Sequence, residues 1–379
     1  MLAVSSPPGL PAAVPFVRVT DANLLIQIFD VKQTEPDLGS PTLKVIRTVE
    51  THCGGPHCRV VIGGLGALDI PGQTMFEKKS YLEQNYDAFR RLLLTEPRSS
   101  RTTNVDLILP SPDPRADFGV VIMEQARYYP AMSGGNLMSV VTALLETGSV
   151  TMTEPDTLLN VDTPAGLVAV RARCKNGRVT NVAFANAPAF ATHLDTTIEV
   201  SGIGPLLVDV AYGGMFYVLA EAAAVGLAIE PESAAELVRV GEVVKKAARE
   251  QLRVVHPANH AINHLESLLW WGPARSKEND GRNTVVVSLD AGIGSEIGRG
   301  VLDRCPCGTG TCARLAVLHA KRQLRVGEDY RHEGILDSVF IGRILQELDI
   351  DGTPAIVPEV SGQLGSPATR TTSFMTTIP

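Results

Sequence analysis

The sequence predicts an α/β protein built from two similar halves that face each other across a cleft. Strand-like runs precede a helix-like segment that begins just after Ser133, and the same order recurs around Cys307. The chain of 379 residues is long enough for two domains that each bury a core. One arrangement repeated at two reactive side chains therefore predicts paired domains with a site between them.

The bulk composition argues against several classes of protein. Hydrophobic residues make up 44% of the chain and charged residues 20%, which is typical of a globular protein. The net charge of -7 argues against a basic surface for nucleic acid, and no apolar run reaches the roughly 18 residues of a membrane span. Because the six cysteines are clustered unevenly and the N-terminus lacks a basic signal region, we expect a reduced, cytoplasmic protein.

The first part of the chain begins with an irregular lead, in which residues 24–29 could add a strand. Strand-like runs and one helix-like run follow: strands at 43–49, 59–62, 105–109 and 118–123, and a helix at 78–94. After Ser133 the apolar residues recur with helical spacing and stop before Gly148: Leu137, Val140, Val141, Leu144 and Leu145.

The later part of the chain repeats this alternation. Strand-like runs lie at 158–161, 166–171, 179–184, 206–210 and 283–289. A helix over about 231–252 opens with Pro and acidic residues and ends with basic ones, as the helix dipole favours. Behind Cys307, Leu315 and Leu318 mark a last helix that ends before Gly327.

Ser133 and Cys307 each stand immediately before small residues at a predicted helix start. A side chain there lies among unpaired backbone N–H groups at the positive end of the helix dipole. A thiol in such a place loses its proton more readily, and a substrate carboxylate finds hydrogen-bond donors. From the residues alone, Ser133 could equally be a helix N-cap, and Cys307 an incidental thiol in a tight loop.

Two further patterns suggest other ligands less strongly. Histidines and cysteines from both motif regions could surround zinc, but their spacing matches no usual zinc motif: His52, Cys53, His57, Cys58, Cys305, Cys307 and Cys312. Gly292 and Gly294 follow a strand-like run, yet Ile297 stands where a dinucleotide loop needs Gly or Ala. We therefore predict neither a metal nor a nucleotide cofactor.

Residues 303–311 read DRCPCGTGT, and residues 132–136 read MSGGN. Together with shorter segments, these motifs form an ordered set that resembles the proline racemase family, which includes proline racemases, 4-hydroxyproline 2-epimerases and trans-3-hydroxyproline dehydratases. The segment Asp303–Thr311 resembles the family's DRSPCGTGT signature and differs only at Cys305. The segment Met132–Asn136 resembles the MCGH signature, with Ser133 in place of the first catalytic cysteine and Gly135 in place of the histidine.

Shorter matches extend the resemblance over roughly residues 43 to 375. They are His52–Val61 with HTGGEPxRVV, Glu96–Arg98 with EPRG, Asp209–Gly214 with DxAYGG, and Cys312–Leu315 with SARL. The sequence departs from the family at Pro56, where the family has Glu, and at Ser99, where it has Gly. Residues 291–300 look like an insertion before the second signature.

The resemblance implies a fold of the diaminopimelate-epimerase type, in which each domain is a curved mixed sheet around a central helix. We expect an N-terminal extension over 1–42. The first domain would span 43–200 and include the C-terminal segment 358–379. The second domain would span 201–357.

The resemblance also implies roles for the residues of both signatures. Cys307 and Ser133 would be the catalytic pair, and Asp303 would hold the ring ammonium of an imino acid. The substrate carboxylate would accept hydrogen bonds from backbone N–H groups at both helix starts, at Gly134, Gly135, Gly308 and Thr309. The family reaction uses neither cofactor nor metal, so the expected partner is a small imino acid. A homodimer is a further expectation.

The Ser/Cys pair favours one reaction of the family. A thiol has a reference pKa of about 8.5 and an unassisted hydroxyl is far less acidic, so Ser133 is a poor base. Racemisation uses two interchangeable bases, whereas dehydration of trans-3-hydroxy-L-proline to Δ1-pyrroline-2-carboxylate needs one. We therefore predict a dehydratase, a lyase, with 4-hydroxyproline 2-epimerase or proline racemase as the runner-up. Gly135 and Pro56 favour a different class, an imino-acid-binding protein without catalysis.

Overall fold

The computed structural model describes residues 44–63, 70–100, 102–125, 129–260, 262–288 and 300–362, together with the backbone of 374–376. The irregular lead, the candidate strand at 24–29 and the insertion up to residue 299 lie outside the described residues. Among the helices in the described ranges, none is long and apolar enough to cross a membrane.

The first half of the described chain combines strands with three helices. Its strands are β1 (Lys44–His52), β2 (His57–Gly63), β3 (Thr103–Leu109), β4 (Phe118–Met123), β5 (Asp156–Thr163), β6 (Gly166–Lys175) and β7 (Arg178–Ala185). Its helices are α1 (Met75–Asn85), α2 (Asp87–Leu94) and α3 (Gly134–Glu146).

The second half also combines strands with helices. Its strands are β8 (Phe190–Val200), β9 (Gly204–Tyr212), β10 (Phe216–Glu221), β11 (Leu265–Gly272), β12 (Gly281–Ser288), β13 (Gly300–Leu302), β14 (Asp329–Glu333), β15 (Val339–Ile350) and β16 (Thr353–Gly362). Its helices are α4 (Ala234–Gln251) and α5 (Gly308–Ala320), and a short strand β17 (Phe374–Thr376) follows.

The strands pair in the same pattern in both halves. From β1 to β5, neighbours pair antiparallel, parallel, antiparallel and parallel, and β9, β10, β11, β12 and β14 repeat that order. Antiparallel strands then extend each half, and β7 pairs with β16 to join them. The predicted pair of similar α/β halves is therefore confirmed as a repeated mixed sheet.

Each half surrounds one central helix. Every residue from Gly134 to Leu145 in α3 is buried, and so is every residue from Gly308 to Leu318 in α5. A helix that is buried on all sides must be enclosed by other elements, and both helices share one apolar core with the sheet. The other helices pack on separate apolar clusters, α1 and α2 in the first half and α4 in the second.

Two of the predicted helices differ from the observed ones. The predicted helix at 78–94 is two helices, because the chain leaves helical geometry at Tyr86 with φ -126° and ψ 25°. Asn85 and Asp87 flank the break, and both residue types favour helix ends. The predicted helix at 231–252 begins with a 3₁₀ turn at Pro231–Ser233 and continues as α4.

The domain limits stay a prediction, and strand pairing favours one adjustment. The predicted limit at residue 200 places β8 in the first domain, yet β8 pairs with β9 of the second half along most of its length. β17, near the C-terminal end of the sequence, pairs with β1 of the first half. β16 pairs with β15 of the second half as well as with β7 of the first. We propose that the boundary lies between β7 and β8, with β17 completing the first domain.

Candidate active site

The starts of α3 and α5 lie against each other. Ser133 is the N-cap of α3 and Cys307 is the N-cap of α5. The residues that follow are so close that a Cβ added to Gly308 would lie 3.0 Å from the Cα of Gly134. Because consecutive Cα atoms are about 3.8 Å apart, the Cα atoms of Ser133 and Cys307 lie within roughly 12 Å of each other. The contact between the helix starts therefore brings Ser133 and Cys307 into one region of the fold.

Cys307 has an unusual backbone, with φ 60° and ψ 115° in a region that non-glycine residues seldom adopt. Such a conformation persists when the surroundings hold it in place. The preceding carbonyl, of Pro306, accepts hydrogen bonds from Asn283 Nδ2 at 2.9 Å and from Thr311 Oγ1 at 3.2 Å. Backbone and side-chain bonds thus fix the thiol at the helix start.

Three groups surround the sulfur of Cys307. The backbone N–H of Gly310 donates to it at 3.3 Å. The hydroxyl oxygens of Tyr217 and Thr309 lie 3.5 Å and 3.7 Å from it, and 2.6 Å from each other. Tyr217 comes from β10 and was not predicted, although it lies three residues after the Asp209–Gly214 motif.

The thiol of Cys307 is harder to ionise than its position at a helix start suggests. Burial, and next the negative charge of Asp303, raise its pKa to about 12, despite hydrogen bonds from Tyr217, Gly310 and Thr309 that lower it. The expectation that the helix start would give a readily formed thiolate is therefore not met in the free protein. A cation bound at Asp303 would offset the nearby charge and lower the pKa of the thiol.

Asp303 lies directly after β13 and is partly buried. Its backbone N–H donates to the carbonyl of Val285 at 2.8 Å. Its Oδ1 accepts from the backbone N–H of Cys305 at 3.1 Å and from the Cys305 thiol at 3.2 Å. Burial raises the pKa of Asp303, while these bonds to Cys305 lower it. The carboxylate is thus held by its own loop, through Cys305, which is two residues before Cys307.

The Ser133 side of the site is less constrained. Its hydroxyl does not cap α3, so the N-cap interpretation of this side chain is not supported. A Cβ at Gly134 would lie 2.6 Å from Phe184 Cζ, so glycine is required there. A Cβ at Gly135 would meet only ordinary contacts, 3.7 Å from Cys53 Cβ and 3.8 Å from Cys305 Sγ. Gly135, unlike Gly134, therefore has no steric need to be glycine.

A buried polar network beside α3 was missed from the sequence. Asn136 Nδ2 lies 3.5 Å from Glu124 Oε1, and its Oδ1 accepts from the Cys58 thiol at 3.0 Å. Burial, and next the charge of Asp303, raise the pKa of Glu124 to about 7. Burial also raises the pKa of Asp106 well above its usual range. The one available sequence signal was Asp106, a carboxylate inside the apolar run 105–109.

Glu124 makes folding stability depend on pH. Its pKa is higher in the folded protein than in the unfolded chain, so the folded state binds more protons between the two values, and stability falls as pH rises towards 7. Glu124→Gln should remove this loss, and its thermal midpoint should exceed that of the wild type by an increasing margin from pH 5 to pH 8. The exposed Glu232→Gln is the control. Equal pH dependence in Glu124→Gln and wild type would contradict the assignment.

The structure describes the residues of the zinc pattern but not the glycines of the nucleotide pattern. All six cysteines are buried, and none forms a disulfide. Cys53 Sγ lies 3.7 Å from Met138 Sδ. Within the described part of the chain, no group of three or more His, Cys, Asp or Glu side chains is arranged to hold a metal ion. The glycines at 292 and 294 lie outside the described residues.

The fold and the site define a class of protein, two α/β halves whose central helices meet at a serine and a cysteine. The family model described as proline racemase matches residues 48–375, and the chain belongs to the proline racemase family. The signatures around Ser133 and Cys307 both lie within the matched range.

Solved structures support the same assignment. A hydroxyproline epimerase from Agrobacterium vitis with bound trans-4-hydroxy-L-proline is 31% identical, with a TM-score of 0.77 over 89% of this chain and 94% of that one. A probable proline racemase from Agrobacterium radiobacter K84 with bound carbonate is 35% identical, with a TM-score of 0.75 over 84% and 90% of the two chains. A PhzF-family phenazine biosynthesis protein from Bacillus anthracis is 12% identical with a TM-score of 0.52, over 89% of this chain and all of that one, and shares the fold alone.

Proposed function

We propose that the protein is a cofactor-independent acid–base enzyme that acts at the Cα of a hydroxyproline. The observation that supports this most directly is the contact between Gly134 and Gly308, which brings one thiol and one hydroxyl to two facing helix starts. Family membership and the similarity to a hydroxyproline epimerase support the substrate class.

The proposed mechanism begins with binding of the imino acid as a zwitterion. Its ring ammonium pairs with Asp303, and its carboxylate accepts from the N–H groups at Gly134, Gly135, Gly308 and Thr309. The ammonium offsets the charge of Asp303, which is a cause of the high pKa of Cys307. The substrate thus assists ionisation of its own base. The same N–H groups stabilise the negative charge that spreads onto the carboxylate when the Cα proton leaves.

Dehydration of trans-3-hydroxy-L-proline is the first candidate reaction. The Cys307 thiolate takes the Cα proton and becomes a thiol, and the electron pair of the C–H bond forms a Cα–Cβ double bond. The β-hydroxyl leaves with a proton from Ser133 or a water molecule, so that one water is released. The resulting enamine tautomerises to Δ1-pyrroline-2-carboxylate. This reaction needs one strong base, and the thiol of Cys307 is the only candidate in the Ser/Cys pair.

Epimerisation of 4-hydroxyproline is the second candidate. The similarity to the Agrobacterium vitis epimerase, solved with trans-4-hydroxy-L-proline, favours it specifically. Here the Cys307 thiolate on one face takes the Cα proton and becomes a thiol, and the group on the other face returns a proton to the same carbon. Ser133 or a water molecule that it positions would be the second group. Imino-acid binding without turnover is the alternative from a different class.

One experiment separates these functions. The protein is incubated in D2O with proline, trans-4-hydroxy-L-proline or trans-3-hydroxy-L-proline, and Cα–H exchange and pyrroline formation are followed by NMR. Pyrroline from trans-3-hydroxy-L-proline alone supports the dehydratase. Exchange with inversion of trans-4-hydroxy-L-proline supports the epimerase. Calorimetric binding without exchange or product would contradict both enzymatic proposals.

Ser133→Cys should shift the balance between the two reactions. A thiol at residue 133 can alternate between base and acid, so epimerisation of trans-4-hydroxy-L-proline should rise relative to dehydration of trans-3-hydroxy-L-proline. Ser133→Ala is the matched control, because it removes the hydroxyl without adding a thiol. An unchanged product ratio in Ser133→Cys would show that the Ser/Cys difference does not set the reaction, and that the shape of the substrate pocket does.

We further propose a cytoplasmic homodimer. The six unpaired thiols favour a reducing compartment. Light scattering coupled to size-exclusion chromatography tests the assembly, since a monomer mass near 40.5 kDa would contradict the dimer.

A further inference from the structure

The hydroxyl of Tyr217 touches the sulfur that the proposed reaction uses as its base. It lies 3.5 Å from Cys307 Sγ and 2.6 Å from Thr309 Oγ1. Tyr217 is only 1% exposed, whereas Cys307 is 8% exposed. The tyrosine therefore contacts the sulfur from within the core and leaves its exposed side for a substrate.

We propose that Tyr217, together with Thr309, is a positioning residue that stabilises the thiolate of Cys307. The inference rests on the proposed role of Cys307 as the base. A hydroxyl can both donate and accept a hydrogen bond, so the same contacts fit both protonation states of the sulfur. The Tyr217 hydroxyl donates to the thiolate before proton abstraction. Afterwards the new S–H donates to the oxygen of Tyr217 or Thr309.

In the described part of the first half, the position that matches Tyr217 carries no hydroxyl. Tyr217 is the second residue of β10, and the second residue of the matching strand β2 is Cys58. The Cys58 thiol donates a hydrogen bond to Asn136 Oδ1 of α3 at 3.0 Å, so its partner is a side chain within the helix and not the N-cap residue. The repeated fold thus carries a thiolate-stabilising tyrosine at Cys307 but not at the corresponding place in the Ser133 half. This difference accords with a reaction driven by one base.

One charged group near the sulfur opposes its ionisation, the carboxylate of Asp303. The Cys305 and Cys312 thiols also lie near it, and a negative charge on Cys307 raises the pKa of each of them. The backbone N–H of Gly310 is the remaining donor, and it comes from the helix that Cys307 caps. Tyr217 is thus the one side-chain donor to this sulfur, among those in the described structure, that reaches it from another element.

The test is Tyr217→Phe, read out by alkylation of Cys307 with iodoacetamide. Peptide mass spectrometry follows Cys307 separately from the other thiols, and no substrate is needed. Loss of a hydrogen bond to a charged group should raise the pKa of the thiol by about one pH unit. Alkylation at pH 8.5 should therefore slow about tenfold relative to the wild type, and the rate should rise with pH in both proteins. Thr309→Val should change it in the same direction.

Tyr212→Phe is the matched control, because it removes a hydroxyl from the same β9–β10 hairpin. The Tyr212 side chain packs in the apolar cluster that contains α4, away from the core that contains Cys307. The alkylation rate of this variant should equal that of the wild type. Partial unfolding of Tyr217→Phe would expose Cys307 and speed alkylation, so it cannot imitate the expected result. A rate in Tyr217→Phe within twofold of the wild type, or faster, would overturn the proposal.

Turnover measurements distinguish this inference from the proposed function. If an imino acid exchanges its Cα proton, Tyr217→Phe should lower kcat more than it changes KM. It should also move the acidic limb of the pH profile, where activity rises as Cys307 loses its proton, to higher pH. If none of the three imino acids reacts, the proposed function fails while the alkylation result still decides the role of Tyr217.

Discussion

Cys307→Ser is expected to remove Cα–H exchange and product formation with every imino acid that the wild type accepts. The loss should be at least about a hundredfold, because a positioned general base contributes 10²–10⁴-fold and a hydroxyl is far less acidic than a thiol. The smaller oxygen can keep the hydrogen bonds that Gly310, Tyr217 and Thr309 make with sulfur. The variant should therefore fold and bind the imino acid without turnover.

Cys174→Ser is the matched control for this prediction. Cys174 is also buried, but its thiol lies in β6, 3.5 Å from Thr157 Oγ1 and from the carbonyl oxygen of Ala172. A serine hydroxyl can use both partners, so this variant should keep full activity. Exchange above a few per cent in Cys307→Ser would mean that another group removes the Cα proton.

The elements that surround the site were the most predictable part of the fold. The apolar stripe from Leu137 to Leu145 and the segment after Cys307 each needed a sheet to bury them, and α3 and α5 are buried along almost their whole length. The two signatures also fixed which residues begin these helices. What they did not provide was the direct contact of Gly134 with Gly308.

Several strands could not be predicted because their burial depends on distant partners. β14 reads Asp-Tyr-Arg-His-Glu and has no apolar alternation. Its buried His332 lies against Asn283, and its buried Glu333 accepts from Arg282 at 3.2 Å. β10 is buried at its first five residues and therefore lacks the two-residue period of a half-exposed strand. Such segments become strands through tertiary contacts and not through local pattern.

The electrostatics of the site were the least predictable feature. The argument from helix dipoles gave the wrong direction for Cys307, because burial and Asp303 outweigh the hydrogen bonds at the helix start. Glu124 and Tyr217 belong to no recognised signature, and each reaches the site from a different strand end. Their roles depend on distances that only the folded chain defines.

Asp303→Asn should produce two effects of opposite sign. Loss of the carboxylate removes the proposed partner of the ring ammonium, so KM should rise and turnover should fall by at least about tenfold. The same change removes a negative charge that raises the pKa of Cys307. In the free protein, Cys307 should therefore ionise more easily and be alkylated faster by iodoacetamide than in the wild type, although the enzyme is less active.

This pair of readouts separates substrate binding from general damage to the site. The asparagine oxygen can still accept from the N–H and the thiol of Cys305, so the loop should keep its shape. Asp329→Asn, a partly exposed carboxylate of β14 that pairs with Arg343, should change neither measurement. Slower alkylation in Asp303→Asn would contradict the electrostatic coupling, and unchanged KM and kcat would remove Asp303 from the substrate site. Faster alkylation together with lost turnover would show that one carboxylate both suppresses the thiolate in the empty site and binds the cation that restores it.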